Sequence, residues 1–426
     1  MARALSGWIV GGAALLVAAP AFAQEQVAPN QGMFARDRNV SVTQRPQPGY
    51  EPVPVRLGAF TALPKLDAGV EYNDNIYAVN SGQKSDTIFT LNPELDVQSN
   101  WARNALQAYI RSATRGYAKY SSETTTDYQL GGSGRLDAGN GQFSGGGDTG
   151  LLTEPRTSPS TTSGTTHPVR YQQSDGFFSG VEELNRIRLT GRFDLVNLDY
   201  HNGVDPLQRT VIEDDRDHTN YTYSGKVEYA VSPDTSVYVV GSYNDHQYRL
   251  QPPTVSLDRN SHGGTVTAGS SFDLTNLVRG DVQIGYLTQD FDAKTLTSVS
   301  GFTALASLEW FPTQLTTVTL TGSRQIQDSA ALNSAVFIAG VASLQVDHEL
   351  LRNLILTGRF NYEDDSYFGV SRDDHSTGGY VGARYMLNRL VGVSAGYTYA
   401  NLHSTGAQRG PLYTVNRFMI STNLRF

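Results

Sequence analysis

The chain has 426 residues and a formal charge of -8, from 33 Lys and Arg against 41 Asp and Glu; it carries 42 Gly and 23 Tyr but no Cys. A mean hydropathy of -0.35, with no apolar run of about 20 residues in the mature chain, excludes helical membrane spans, and 10% aromatic against 17% charged residues argues against global disorder. Without Cys there is no disulfide scaffold or Cys-based metal site, and an acidic balance argues against a nucleic-acid partner, whose phosphates call for a basic face.

In chain order, residues 1–23 read as a secretory signal peptide: Arg3, an apolar core from Trp8 to Ala19, and the small-residue ending Ala21-Phe22-Ala23. Sec export with cleavage after Ala23 follows, and the mature chain then begins at Gln24. Residues 24–62 are polar and rich in Pro and Gln, with neither a period of 2 nor one of 3.6. They are expected to form a flexible periplasmic leader, with a plug inside a lumen as the alternative.

From Leu63 to Phe426 the dominant period is two, which sends alternate side chains to opposite faces of a strand. Leu66, Ala68, Val70 and Tyr72 alternate with Asp67, Gly69, Glu71 and Asn73; Leu189, Gly191 and Phe193 alternate with Arg188, Arg192 and Asp194. About eighteen such segments run from residues 65–77 to 413–426, the least secure being the Gly-rich pair around Gly145 to Gly147. Alternate joints are tight, as at Ser232-Pro233-Asp234, Leu351-Arg352-Asn353 and Asn388-Arg389. Those between them are long and polar, as at 153–170, 201–217, 249–260, 365–374 and 402–412. An all-β transmembrane antiparallel barrel, with short periplasmic turns and long extracellular loops, is the architecture with this asymmetry.

Two patterns bear on the outer face. Tyr221, Tyr223, Gly225, Val227, Tyr229 and Val231 put tyrosines at both ends of an apolar middle, as in an aromatic girdle. The last strand presents Phe418, Ile420, Leu424 and Phe426 on one side, an ending similar to the signal read by the barrel assembly machinery. Outer-membrane lipid, lipopolysaccharide and that machinery are the expected partners.

On the opposite faces stand Arg111, Arg135, Arg186, Arg188, Arg192, Lys226, Arg279, Arg324, Arg359 and Arg384, with Asp127, Asp194, Glu228, Asp281, Asp347 and Glu363. These define a lumen wall in which Arg side chains either select anionic solutes or pair with carboxylates to stiffen the barrel. No HExxH, GxSxG or Walker pattern occurs, so no catalytic residue, cofactor or metal is expected, and the chain is not read as an enzyme. Acidic runs at 213–217 and 363–374 are either solvated loop tips or cation bridges to lipopolysaccharide phosphates.

Gly69-Val70-Glu71-Tyr72-Asn73-Asp74-Asn75-Ile76, then Ser85-Asp86-Thr87-Ile88 and Leu91-Asn92-Pro93-Glu94-Leu95, resemble the opening of the putative beta-barrel porin 2 family. Those proteobacterial outer-membrane barrels are often encoded beside exopolysaccharide genes. The resemblance implies an outer-membrane pore linked to polysaccharide secretion, with an export apparatus as partner. It implies no catalytic residues. The expected function is a conduit for exopolysaccharide export, with a general diffusion porin for small polar or anionic solutes, or a structural or adhesive barrel, as alternatives.

Overall fold

The computed structural model describes residues 40–159, 161, 164–255, 257–275, 277–329 and 334–425. The signal peptide, its cleavage point, the first part of the leader and Phe426 lie outside the described residues. Eighteen long strands follow one another: β1 Phe60–Asn73, β2 Asp86–Ser99, β3 Ala105–Tyr117, β4 Thr125–Ala138, β5 Gly141–Thr153, β6 Arg170–Leu184, β7 Ile187–Tyr200, β8 His218–Ser232, β9 Thr235–Tyr248, β10 Ser261–Leu274, β11 Val278–Phe291, β12 Val299–Thr313, β13 Thr316–Asp328, β14 Val336–Leu351, β15 Leu354–Tyr367, β16 Asp373–Met386, β17 Val391–Thr405 and β18 Tyr413–Arg425. Each pairs antiparallel with the next. The last pairs with the first, from Lys65 opposite Arg425 to Asn73 opposite Arg417, so the sheet closes into a barrel.

Joints at one rim are turns, such as 139–140, 233–234 and 352–353; joints at the other are loops, the longest being 154–169 and 201–217. Two expected loops are shorter than the sequence suggested: β15 continues to Tyr367 and β17 to Thr405. Asp365 and Ser404 look like loop residues, but both are inward-facing strand positions and buried. The barrel also begins at Phe60, before the expected Leu63, because Phe60 to Leu63 pair with Asp96 to Ser99 ahead of Pro64.

Alternation sorts the two faces. Phe89, Leu91, Ile110, Leu130, Val227, Val266, Ile284, Phe360 and Val381 are exposed on the outside, while their sequence neighbours turn inward. Tyr223, Val227, Tyr229 and Val231 of β8 are likewise exposed outside. Of the terminal pattern, Phe418 and Ile420 are exposed outward, and Phe418 leans on Tyr397 with ring centroids 4.7 Å apart. Leu424 lies opposite Leu66 and Val391. The Gly-rich pair forms a regular ladder, β4 with β5. Its glycines suit a crowded inner wall: a Cβ on Gly131 would stand 2.5 Å from Asp148 Cβ and 2.8 Å from the Tyr109 ring.

Candidate functional site

The inner wall is a series of cations held in place. Arg111 lies 2.8 Å from Glu94 and 3.5 Å from Asp96, Arg135 3.0 Å from Asp137, and Arg192 2.6 Å from Asp194. Arg188 reaches Glu183 at 2.7 Å, Lys226 reaches Glu228 at 3.5 Å, and Arg279 pairs with Glu309. Several also sit on aromatic faces: Arg111 on Tyr109, Arg192 on Phe177 and Lys226 on Tyr238. Arg359 donates from Nε to Gln345 Oε1 at 2.8 Å, and Arg384 faces inward between Ile355 and Ser394. A cation with a carboxylate beside it presents little net field to a passing anion, so these pairs act mainly as wall braces. The side chains of Arg111 and Asp96 are each 42% exposed, and solvent reaches this part of the lumen.

Two of the expected lumen cations are elsewhere. Arg186 lies in the exposed turn between β6 and β7, beside Asn185 at φ 57°, because that hairpin turns one residue later than the alternation suggested. Arg324 is exposed on the outward side of β13, opposite Ala304, and donates to the Phe302 carbonyl at 2.8 Å. Its parity follows Leu320, which is exposed outside.

Arg324 marks a departure from the wall. Pairing of β12 with β13 stops at Ala304 and Arg324, whereas β13 and β14 stay paired as far as Asp328 and Val336. Above that point β13 leaves β12 and turns inward with β14, which stays paired with β15 as far as Phe337 and Tyr367. Ile326, Val336 and Ile338 pack on Val299 of β12 and Phe291 of β11. At the end of β13 Asp328 meets His246 Nδ1 at 3.2 Å and His218 Nε2 at 3.6 Å, on β9 and β8, so this end of the hairpin reaches inside the wall past β12, β11 and β10.

The loop rim is fastened across the mouth. Arg156 and Glu123 join at 2.9 Å, and Arg216 joins Glu154 at 2.8 Å and Glu213 at 3.0 Å. Loop 154–169 leaves β5 yet reaches the far side: Arg372 donates to the Pro159 carbonyl at 3.2 Å and the Tyr413 hydroxyl to the Thr157 carbonyl at 2.6 Å. The acidic runs serve these clamps, with Asp215 on Arg259 at 3.5 Å and Asp374 on Arg372. Among the described residues no group of three or more His, Cys, Asp or Glu is arranged to hold a metal ion.

Loop 201–217 carries its own titration. Burial pushes the Asp217 carboxyl up to about 6 from the ordinary 3.8, despite the Tyr200 N–H and Arg249 beside it. Burial outweighs Arg249 because that side chain is 54% exposed, where water screens the pair. The folded loop keeps this proton to a higher pH than the unfolded one does. Its local stability is therefore greatest below 3.8 and weakens as pH rises through the interval up to about 6. Asp217→Asn should flatten that dependence, measured as protease nicking of loop 201–217 between acid and neutral pH; an unchanged profile would remove Asp217 as its source.

At the turn rim the leader enters the barrel. Ser41 and Val42 are buried, Val42 completely, against inward-facing Ile355 and Met386 with Tyr50 alongside. The Val42 N–H donates to Thr317 Oγ1 at 3.0 Å and Gln47 Nε2 to Glu349 Oε2 at 3.2 Å, while Arg45 stands 3.5 Å from Glu349. Residues 41–50 of the leader, expected to be flexible, thus form a folded turn seated in the lumen, while Val53, Val55 and Leu57 are exposed. Val42 has only Val40 beside it as an apolar residue before a Pro- and Gln-rich stretch, too short a pattern to announce it.

A closed antiparallel barrel with an apolar outer face, a charged and braced inner wall, and all long loops at one rim is a bacterial outer-membrane β-barrel of the porin type. Turns then mark the periplasmic rim and loops the extracellular one. The chain belongs to the family described as Putative beta-barrel porin 2, whose model matches residues 47–426. No curated protein matches it in sequence. Its fold is similar to OccAB3 of Acinetobacter baumannii, with a TM-score of 0.47 and 11% identity over 87% of this chain and 100% of that one. It is also similar to OccK2 (OpdF) of Pseudomonas aeruginosa, solved in complex with glucuronate, with a TM-score of 0.47 and 12% identity over 86% of this chain and 98% of that one. Family and fold resemble channels rather than enzymes.

Proposed function

We propose that the barrel is a diffusion channel for small polar solutes. The observation that carries this reading is the inward β13–β14 hairpin, whose Asp328 reaches two histidines on β8 and β9. Together with the leader below and the fastened loops above, it takes up part of the interior, which favours small solutes over long chains. A barrel of this strand number is otherwise wide enough for an aqueous channel. Passage is passive: paired charges hydrate the wall, and the hairpin sets the size limit.

Liposome swelling tests this with sugars of increasing length. Vesicles carrying the protein should swell with monosaccharides and fail to swell with long oligosaccharides. Equal permeation at every length, or none, would count against the reading. Export of an exopolysaccharide, which the family resemblance raises, would need both the hairpin and the leader to withdraw. A gene deletion that stops polysaccharide export while leaving small-solute uptake intact would favour it.

A further inference from the structure

Arg417 differs from the braced cations of the wall. It faces inward on β18, opposite Asn73 of β1 and Thr398 of β17, and is only 9% exposed. Among the described residues no hydrogen bond or ion pair reaches its guanidinium, and its Nε is buried without a partner. The nearest charges are Glu71 and Arg115, with the phenols of Tyr117 and Tyr413 around them. Glu71 is fully buried: one of its oxygens accepts from Arg115 Nη2 at 2.8 Å, and the other is buried without a hydrogen-bond partner. Two guanidinium groups thus stand near one carboxylate, and only that of Arg115 is bonded to it.

A buried charge without a partner is costly, and removing it from water is repaid only by a counter-charge that also satisfies its donors. The planar fork of an arginine matches the two oxygens of a carboxylate better than it matches any neutral group. The local excess of one positive charge has the sign to draw such a group in, and the Tyr117 phenol can donate to it. We propose that Arg417, with Arg115 and Tyr117, forms a subsite on the inner wall at the barrel seam for the carboxylate of a small anionic solute. The inference rests on the channel reading only in treating the bound anion as cargo; the site itself is a matter of binding.

The test is calorimetric titration of the detergent-solubilised full-length protein with sodium gluconate, with inorganic phosphate titrated separately. Wild type should bind gluconate, and Arg417→Gln should weaken binding by about tenfold or more, the usual worth of a hydrogen bond between charged groups. Glu71→Gln should tighten it, because the internal competitor for both guanidinium groups is gone. Unchanged binding in Arg417→Gln, or weaker binding in Glu71→Gln, would overturn the proposal, and phosphate binding without gluconate binding would overturn the carboxylate assignment. Should Arg417→Gln fail to assemble, judged by its heat-modifiable migration in detergent gels, Glu71→Gln decides the question. Conductance of the same preparations in planar bilayers is scored apart: gluconate binding with no conductance supports the site and sinks the channel reading.

Discussion

Asp328→Ala should raise single-channel conductance more than any other single change in the wall. The His218 Nδ1 lies 2.6 Å from the Arg216 carbonyl, so that nitrogen carries a hydrogen and donates it. The Nε2 then faces Asp328 at 3.6 Å, and His246 Nδ1 lies 3.2 Å from both carboxylate oxygens. Arg259 adds a further positive charge. Asp328 is 8% exposed, and removing one partner of a buried pair costs about 3–5 kcal/mol. That corresponds to a loss on the order of a hundredfold or more in the docked population. Planar-bilayer recordings should show a larger and noisier open level. With no native Cys in the chain, an oxidised Asp328→Cys/His246→Cys double variant should hold the hairpin down and keep conductance low. If Asp328→Ala conducts like wild type, the hairpin does not restrict flow.

Val42→Asp should empty the periplasmic mouth. Val42 is fully buried against Ile355 and Met386, and placing a carboxylate there without a partner costs several kcal/mol. The backbone bond to Thr317 and the contacts to Glu349 are too few to offset that, so the leader leaves the barrel. Arg45→Ala should do much less, because Arg45 is 29% exposed and its 3.5 Å contact with Glu349 is weak. Conductance should rise in Val42→Asp, and chymotrypsin added from the periplasmic side should cut after Tyr50, which packs on the Val42 cluster, far faster than in wild type. A leader that stays protected in that variant would mean Val42 is not what seats it.

Much of the barrel was readable before any coordinates. Leu66 to Asn73 and Leu189 to Asp194 alternate strictly, and a strand has only two faces, so one apolar side chain assigns its neighbours. The same rule placed Arg111, Arg192, Lys226 and Arg359 inward. It was misapplied at Arg324, which shares parity with the outward Leu320, and at Arg186, where the hairpin turned a residue later. Arg417 was missed although the signal was present, since it sits beside outward Phe418 and must face the lumen. The inward ends of β15 and β17 read as loops because polar residues at inward positions look like solvated ones.

What lies inside the barrel was not readable, and the reason is distance along the chain. Alternation is a property of adjacent residues, so the strands, their faces and the turn and loop rims are determined locally. The pairing of His246 with Asp328 joins residues 82 apart and that of Gln47 with Glu349 joins residues 302 apart, and neither pair shares a strand or an edge. Whether a hairpin stays in the wall or folds into the lumen depends on where β12 stops pairing with β13 and on which buried charge waits across the interior. The sequence by itself determined a closed, membrane-spanning barrel with a charged inner face. Only the tertiary structure decided that its cations are mostly braced, that a hairpin and the leader occupy the lumen, and that Arg417 is left without a partner.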